Sequence, residues 1–306
     1  MQASKKWFVI INPTSGNGAS KKLWPKIKQE LEDNNFEFKF AFTKHPNHSK
    51  KLLQKPVNKN IKHIICVGGD GTIHNIVNAI LQLKKQSVDN IKLGVIPIGT
   101  GNDWVKTHGI SSKNYKQAIQ VILKGNLKQQ DIGKITLNNN KNKEVYFNNL
   151  AGVGFDGYIV TKVSKYKHLG AVAYLIGTLM GLFSFKNYNA TVTINSETKK
   201  VKALMILIGI CKYSGGGMQL TKSPVYNDGL FDISIAENFK AFDIIKNIIK
   251  LFNGKVTNSK KINTYKTTDI SVNTEIDQPI QADGELLGFG SFKCSIVKNA
   301  LRFYSA

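Results

Sequence analysis

Apolar residues in this chain fall into short runs that end at glycine-rich turns, and the runs alternate between two periods. Lys6–Ile11 (KWFVII), Ile61–Val67 (IKHIICV) and Ile91–Ile98 are nearly continuous apolar runs, which predict strands buried on both faces. Phe36–Phe42 alternates and predicts a fourth strand. Between these runs the period lengthens. Leu23, Ile27 and Leu31 share one helical face, Ser49–Gln54 reads as a short helix, and Ile73, Ile76, Val77, Ile80 and Leu81 predict a helix from Ile73 onward. Tyr115–Lys124 predicts a helix that stops at Gly125. Ser20 is positioned to cap the first helix, and Pro25 lies in its first turns, where proline is tolerated. This βα alternation predicts a parallel α/β sheet.

After Asp131 the pattern changes. Ile132–Leu137, Glu144–Leu150, Ala190–Ile194, Val201–Ile210, Leu230–Ala236, Lys266–Val272, Pro279–Ala282 and Ser291–Val297 read as strands, most of them joined by Asn- or Gly-rich turns. Two helical patches interrupt them. One is Leu169–Phe185 (LGAVAYLIGTLMGLFSF). The other is Ala241–Phe252, where Phe242, Ile245, Ile248, Ile249 and Phe252 recur at helical spacing. The expected organisation is an α/β domain over residues 1–130 and an antiparallel region over 131–306, whose last strand is free to return towards the first domain.

Composition changes this picture in one respect. With 306 residues, 42% of them hydrophobic, two cores are affordable in size, but the formal charge is +23. Nearly all of it is lysine, since Arg302 is the only arginine. Bidentate arginine readout of phosphates or bases is therefore nearly absent, and no specific nucleic-acid partner is expected. A diffuse lysine coat suits an anionic membrane surface, at ~1 kcal/mol per nearby lysine, or serves only for solvation. Cys66, Cys211 and Cys294 lie singly in apolar runs and read as buried thiols, with neither disulfide nor zinc spacing. Trp7–Ile11 is too short for a signal-peptide core, and Ala171–Phe185 falls short of the ~20 residues that span a bilayer. A cytoplasmic protein, at most peripherally membrane-associated, is expected.

Candidate chemistry sits at the strand ends. Asn12-Pro13-Thr14-Ser15-Gly16-Asn17-Gly18 follows the first run, Gly68-Gly69-Asp70-Gly71-Thr72 the central one, and Pro97-Ile98-Gly99-Thr100-Gly101-Asn102-Asp103 the third. A strand, a glycine-rich turn and a helix put backbone N–H groups where a phosphate can bind. Asp70 inside such a turn would repel phosphate unless a cation stands between them.

With Asp131-Ile132-Gly133, Asn227-Asp228-Gly229-Leu230 and Asp283-Gly284-Glu285 added, six motifs stand in an order that resembles the bacterial diacylglycerol kinase-like lipid kinases. These are relatives of the sphingosine kinases and, more distantly, of the NAD kinases. The resemblance covers nearly the full length. It implies an N-terminal α/β nucleotide-binding domain like that of NAD kinase, a C-terminal β-sandwich, and an active site between them.

The resemblance also implies roles. ATP would be the phosphoryl donor and a membrane lipid, most simply diacylglycerol, the acceptor. Asn12, Ser15, Gly16, Thr43, Gly99 and Thr100 would contact the nucleotide, and Gly68, Gly69, Asp70, Gly71 and Thr72 would cradle its phosphates. Asp70 would face the catalytic Mg²⁺, with Asp103 and Asp131 in the acidic network around it. Asp283 would be the general base for the lipid hydroxyl, with Glu285 beside it. Asp228, with the carbonyls of Val225 and Leu230, would hold a structural Mg²⁺. Phosphoryl transfer needs these parts: cradled phosphates, charge neutralisation and a positioned base.

Two departures stand out. The family usually has Asn-Glu after the glycine-rich turn, where this chain has His74-Asn75, and His74 reads as a capping residue. Some members carry a lysine after the first glycine loop, where Asn17 stands here; Lys21 or Lys22 would have to supply that charge. Leu169–Phe185 is either a core helix or a wall of an acyl-chain pocket that meets the bilayer, and Gly215-Gly216-Gly217-Met218 reads as a mobile rim. The acceptor remains open among diacylglycerol, phosphatidylglycerol, ceramide and a sphingoid base. A soluble-substrate kinase and a non-catalytic module are more remote readings, and a homodimer is one possible assembly.

Overall fold

In a computed structural model of the chain, residues 5–83, 90–138, 144–163 and 185–306 are described. The predicted helix Leu169–Phe185 thus lies outside the described residues, Phe185 apart. The chain divides into two compact units, Met1–Gln130 with Asn299–Ala306, and Asp131–Lys298.

In the first unit, β1 (Lys6–Ile11), β2 (Glu37–Phe42), β3 (His63–Gly68) and β4 (Lys92–Pro97) form a parallel sheet in the order β2-β1-β3-β4. β1, β3 and β4 are buried along nearly their whole length, which is why they read as continuous apolar runs. The end of the C-terminal strand adds a fifth, parallel neighbour, with Arg302 opposite Lys92 and Phe303 opposite Leu93. Helices α1 (Ala19–Asp33), α2 (His48–Asn58), α3 (Asp70–Leu81), α4 (Asp103–Thr107) and α5 (Tyr115–Lys124) connect the strands.

Several predicted boundaries move, each for a local reason. Helix α3 begins at Asp70, not Ile73, because Gly69 is extended and its carbonyl already accepts from Thr72 and Ile73. His74 is consequently not a cap. It is buried in the second turn, hydrogen-bonded to Asn78, and Gly69 is the N-cap. Ser20 does not cap α1 either. Gly18 does so in a left-handed conformation, and Ser20 lies inside the helix with its hydroxyl buried and unpaired. The short helix predicted at Ser49–Gln54 runs on through Pro56 to Asn58.

The second unit is antiparallel. β7 (Leu150–Gly154), β8 (Tyr188–Ile194), β9 (Glu197–Gly209), β12 (Asp269–Thr274), β13 (Pro279–Ala282), β14 (Glu285–Phe289) and β15 (Phe292–Tyr304) follow the order β14-β13-β7-β9-β8-β12-β15. β10 (Phe231–Glu237) pairs with β9 and with β11 (Ile262–Thr267), and β5 (Leu127–Leu137) pairs with β6 (Glu144–Phe147). Helices α6 (Phe155–Val163) and α7 (Ala241–Asn253) pack on this framework. The single strand expected at Glu144–Leu150 is two, because the N–H groups of Asn148 and Asn149 turn away to the Asp283 carboxylate. The strand expected at Lys266–Val272 also breaks, at Thr268, where the Thr267 side chain bonds the Asp269 backbone. Cys66, Cys211 and Cys294 are buried thiols outside any disulfide.

Candidate active site

In the first unit the predicted nucleotide residues collect at the carboxyl ends of the parallel strands, where open α/β sheets bind ligands. Asn12 follows β1, Thr43 follows β2, Gly68 ends β3, and Gly99 and Thr100 follow β4. Thr43 donates its N–H to Ile11, which holds the second strand end against the first. Asn12 is central. Its Nδ2 donates to Thr72 Oγ1 at 3.0 Å, and its Oδ1 accepts from the backbone and hydroxyl of Thr14. Ser15 Oγ lies 3.3 Å from Thr72 Oγ1 and accepts from Gly69 N–H. The first and central loops are thus joined by hydroxyl and amide groups.

The central and third loops meet backbone to backbone. A Cβ on Gly99 would lie 2.8 Å from Gly69 Cα and 2.7 Å from Asn102 Oδ1, closer than atoms pack, so glycine is required there. Asp70 fastens the contact. Its Oδ2 accepts from Asp103 N–H and its Oδ1 from Trp104 N–H, both at 3.0 Å. Trp104 is fully buried and donates Nε1–H to Gln130, so the loop has a rigid anchor. The Cβ position of Gly101 lies 3.1 Å from Asp70 Oδ2 and 3.6 Å from Asp103 Oδ2, so two carboxylates flank one spot. Lys106 pairs with the other Asp103 oxygen at 3.2 Å. Hard oxygen donors in small number, on glycine-rich strand ends, fit an Mg²⁺ that arrives with a nucleotide. Asp131 belongs to the second unit, where its Oδ2 accepts from Gly229 at 2.6 Å and its N–H donates to Tyr226.

The Asp283-Gly284-Glu285 turn joins β13 to β14. Asp283 has φ 50°, in the left-handed region. Its carboxylate accepts backbone N–H groups from Asn148 and Asn149 at 2.9 Å and from Leu150 at 3.2 Å. This anion is held tightly in one orientation, while Glu285 is half-buried at the start of β14. Gln281, two residues earlier, is buried. Its Oε1 accepts from Gly284 N–H, and its Nε2 donates to Asp156.

Asp156 was not singled out from sequence. It stands in the first turn of α6, opposite Gly152, where any side chain would collide with its carboxylate. Gln281 is its one hydrogen-bond partner among the described residues, and burial pushes its pKa from 3.8 up to about 6. The available signal was the sequence Gly152-Val153-Gly154-Phe155-Asp156, a strand that ends in glycines and then an acid, like the two strand ends before it. Asp156 also lines an apolar pocket with Phe155, Leu204, Met218, Leu251 and Val256.

Asp228 presents a different picture. Its Oδ1 accepts from Leu230 N–H at 3.0 Å, and its Oδ2 is paired with Lys266 Nζ at 2.9 Å. Lys266 also reaches Asp232 at 3.2 Å. A lysine ammonium therefore already neutralises this loop, and a metal would have to displace it. In this arrangement the Asp228 carboxylate is engaged by Lys266 and Leu230, so a structural ion at Val225, Asp228 and Leu230 requires Lys266 to move away.

Comparison with known proteins agrees with both halves. Residues 6–135 match the family described as "Diacylglycerol kinase catalytic domain", and residues 149–305 match the "YegS C-terminal NAD kinase beta sandwich-like domain". A Bacillus subtilis (strain 168) protein named "Diacylglycerol kinase" is 27% identical over 93% of this chain and 91% of its own length. A Shewanella frigidimarina protein named "Probable lipid kinase YegS-like" is 26% identical over 83% of this chain and 79% of its own. The crystal structure of a diacylglycerol kinase from Bacillus anthracis str. Sterne shares the fold, with a TM-score of 0.75 and 21% identity over 100% of this chain and 98% of that one. An α/β strand-end site in one half, an acid-bearing turn on a β-sandwich in the other and family matches to each half lead to one conclusion: the chain is a lipid kinase and belongs to the bacterial diacylglycerol kinase-like family.

Proposed function

We propose that the enzyme transfers the γ-phosphoryl group of ATP to the free hydroxyl of diacylglycerol, giving phosphatidic acid. The observation that carries the acceptor reading is the apolar cavity of the second unit. Its one acidic wall residue, Asp156, is hydrogen-bonded through Gln281 to Gly284, next to Asp283. Acyl chains in that cavity would bring a glycerol hydroxyl towards the turn that carries Asp283 and Glu285. Asp283 takes the hydroxyl proton or, with three amides on its carboxylate, orients the hydroxyl for Glu285. Asn12, Ser15, Gly16, Thr43, Gly68–Thr72, Gly99 and Thr100 bind the nucleotide at the strand ends. Asp70 and Asp103 hold Mg²⁺ with the phosphates, where the ion offsets the charge that builds up on the transferred group. Asp131 fixes the Tyr226–Gly229 turn.

Radiolabelled ATP with diacylglycerol, phosphatidylglycerol, ceramide, sphingosine and NAD, the lipids in mixed micelles, tests this directly. Diacylglycerol should be the preferred acceptor. Preference for another lipid overturns the acceptor, and phosphorylation of NAD alone overturns the lipid reading.

A further inference from the structure

The helix predicted at Ala241–Phe252 forms, but its apolar stripe is not where an apolar stripe normally lies. Phe242, Ile245, Ile249 and Phe252 follow one another along one side of α7, and they are 73%, 49%, 77% and 55% exposed. The opposite side is the one that packs. Asn247 is buried, its Nδ2 donating to the Asp243 carbonyl, and Leu251 lines the apolar cavity. The helix is well formed at both ends, with Asp243 accepting from Lys240 N–H and Gly254 closing it in a left-handed conformation. A large apolar stripe bare to water on a stable helix marks an interaction surface.

The charge beside the stripe identifies the occupant. Lys246 and Lys250 lie one step round the helix, both exposed, and Lys240 and Lys255 stand exposed at its two ends. Asp243 is the helix's single acid, and Lys261 Nζ neutralises it at 2.6 Å. An apolar ridge flanked by lysines that pair with no acid among the described residues is the composition that inserts into the headgroup region of an anionic bilayer. A second copy of this chain would bring like charges face to face. The other side of the same helix walls the cavity assigned to acyl chains, so a lipid would leave the bilayer next to its binding site.

We infer that α7 is the membrane-docking element of this enzyme, with Phe242, Ile245, Ile249 and Phe252 entering the interface of an anionic bilayer and Lys246 and Lys250 meeting its headgroups. The inference rests on the lipid-kinase reading for its purpose, but its test does not depend on activity. The full chain is sedimented with vesicles of phosphatidylglycerol and phosphatidylcholine, and with phosphatidylcholine alone. Phe242→Glu/Ile249→Glu should lower the partition to the anionic vesicles by roughly tenfold or more. Leu123→Glu/Leu127→Glu, an equal charge change at two exposed leucines of the first unit, should lower it far less. Equal losses in both variants, or undiminished binding of the α7 variant, would overturn the inference. So would a parent dimer that the α7 variant converts to monomer in sedimentation velocity without losing vesicle binding. Activity towards a short-chain, water-dispersed diacylglycerol is measured beside it and should be equal in parent and α7 variant. A parent inactive towards every lipid would overturn the acceptor reading, while the vesicle result still decides the role of α7.

Discussion

Replacing Asp156 by asparagine should make the second unit gain stability relative to the parent as the pH rises from acid to neutral. The carboxyl is buried against an apolar cavity, no cation approaches it among the described residues, and Gln281 supplies one hydrogen bond. Burial raises the pKa from 3.8 to about 6. For an acid this sign means that the folded state binds the proton more tightly than the unfolded chain, so stability falls as pH rises from about 4 through about 6 and then levels off. A shift of about two units corresponds to about 3 kcal/mol. Near pH 4 the unfolded carboxyl is already about half ionised, so the change between pH 4 and pH 7.5 is about 2 kcal/mol. Asparagine keeps an oxygen for Gln281 and does not titrate. Whatever its amide gains or loses is independent of pH, so the variant-minus-parent stability should rise by about 2 kcal/mol from pH 4 to pH 7.5. The difference is essential, because His63 and His108 act the other way. Burial lowers their pKa values to about 4 and about 3, so they make the fold lose stability as pH falls below 6.5. Urea unfolding at both pH values provides the measurement. The probe must be tyrosine near-UV circular dichroism, since Trp7, Trp24 and Trp104 all lie in the first unit and report only on it. A variant-minus-parent difference that is the same at both pH values would refute the assignment of a raised pKa to Asp156.

Asp283→Asn should lower lipid phosphorylation by ~10²–10⁴-fold; activity within a few-fold of the parent removes Asp283 from the acid–base role, and Glu285→Gln measured alongside then shows which carboxylate carries it. Asp228→Ala and Lys266→Met should each lower the Tm, whereas EDTA should leave the parent's Tm unchanged; a lower parent Tm in EDTA would mean that an ion, not Lys266, neutralises Asp228. Gly99→Ala should separate the second and third loops, costing about 1–3 kcal/mol of stability and raising KM for ATP; an unchanged Tm and KM would contradict the close Gly69–Gly99 approach. Vesicle binding should weaken steeply with salt, because exposed lysines act over a Debye length of ~8 Å at physiological ionic strength.

The elements were legible where burial alone fixes them. β1, β3 and β4 are sealed on both sides, so their residues are apolar without interruption, and the helix Tyr115–Lys124 stops at a glycine that adopts the left-handed cap. Legibility failed where a side chain from elsewhere redirects the backbone. Glu144–Leu150 is uniformly strand-like, and only the carboxylate of Asp283, more than a hundred residues later, splits it by drawing off two N–H groups. Helix α7 was legible as a helix but not in its orientation. Periodicity shows that a helix has an apolar side, and it cannot show that the polar Asn247 faces inward while Ile249 faces water.

The candidate site shows the same limit in its chemistry. Sequence order identified Asp70 and Asp283 as acids in glycine-bearing turns, and family resemblance gave them a metal and a proton. In the structure each first serves the backbone: Asp70 binds the N–H groups of Asp103 and Trp104, and Asp283 those of Asn148, Asn149 and Leu150. The two functions are compatible, because a carboxylate offers about four lone-pair directions and an anion anchored by amides does not wander. Three amides fix where the Asp283 carboxylate points, and Glu285 stands two residues further on. The pair of variants at Asp283 and Glu285 is therefore the measurement that separates holding the hydroxyl from taking its proton.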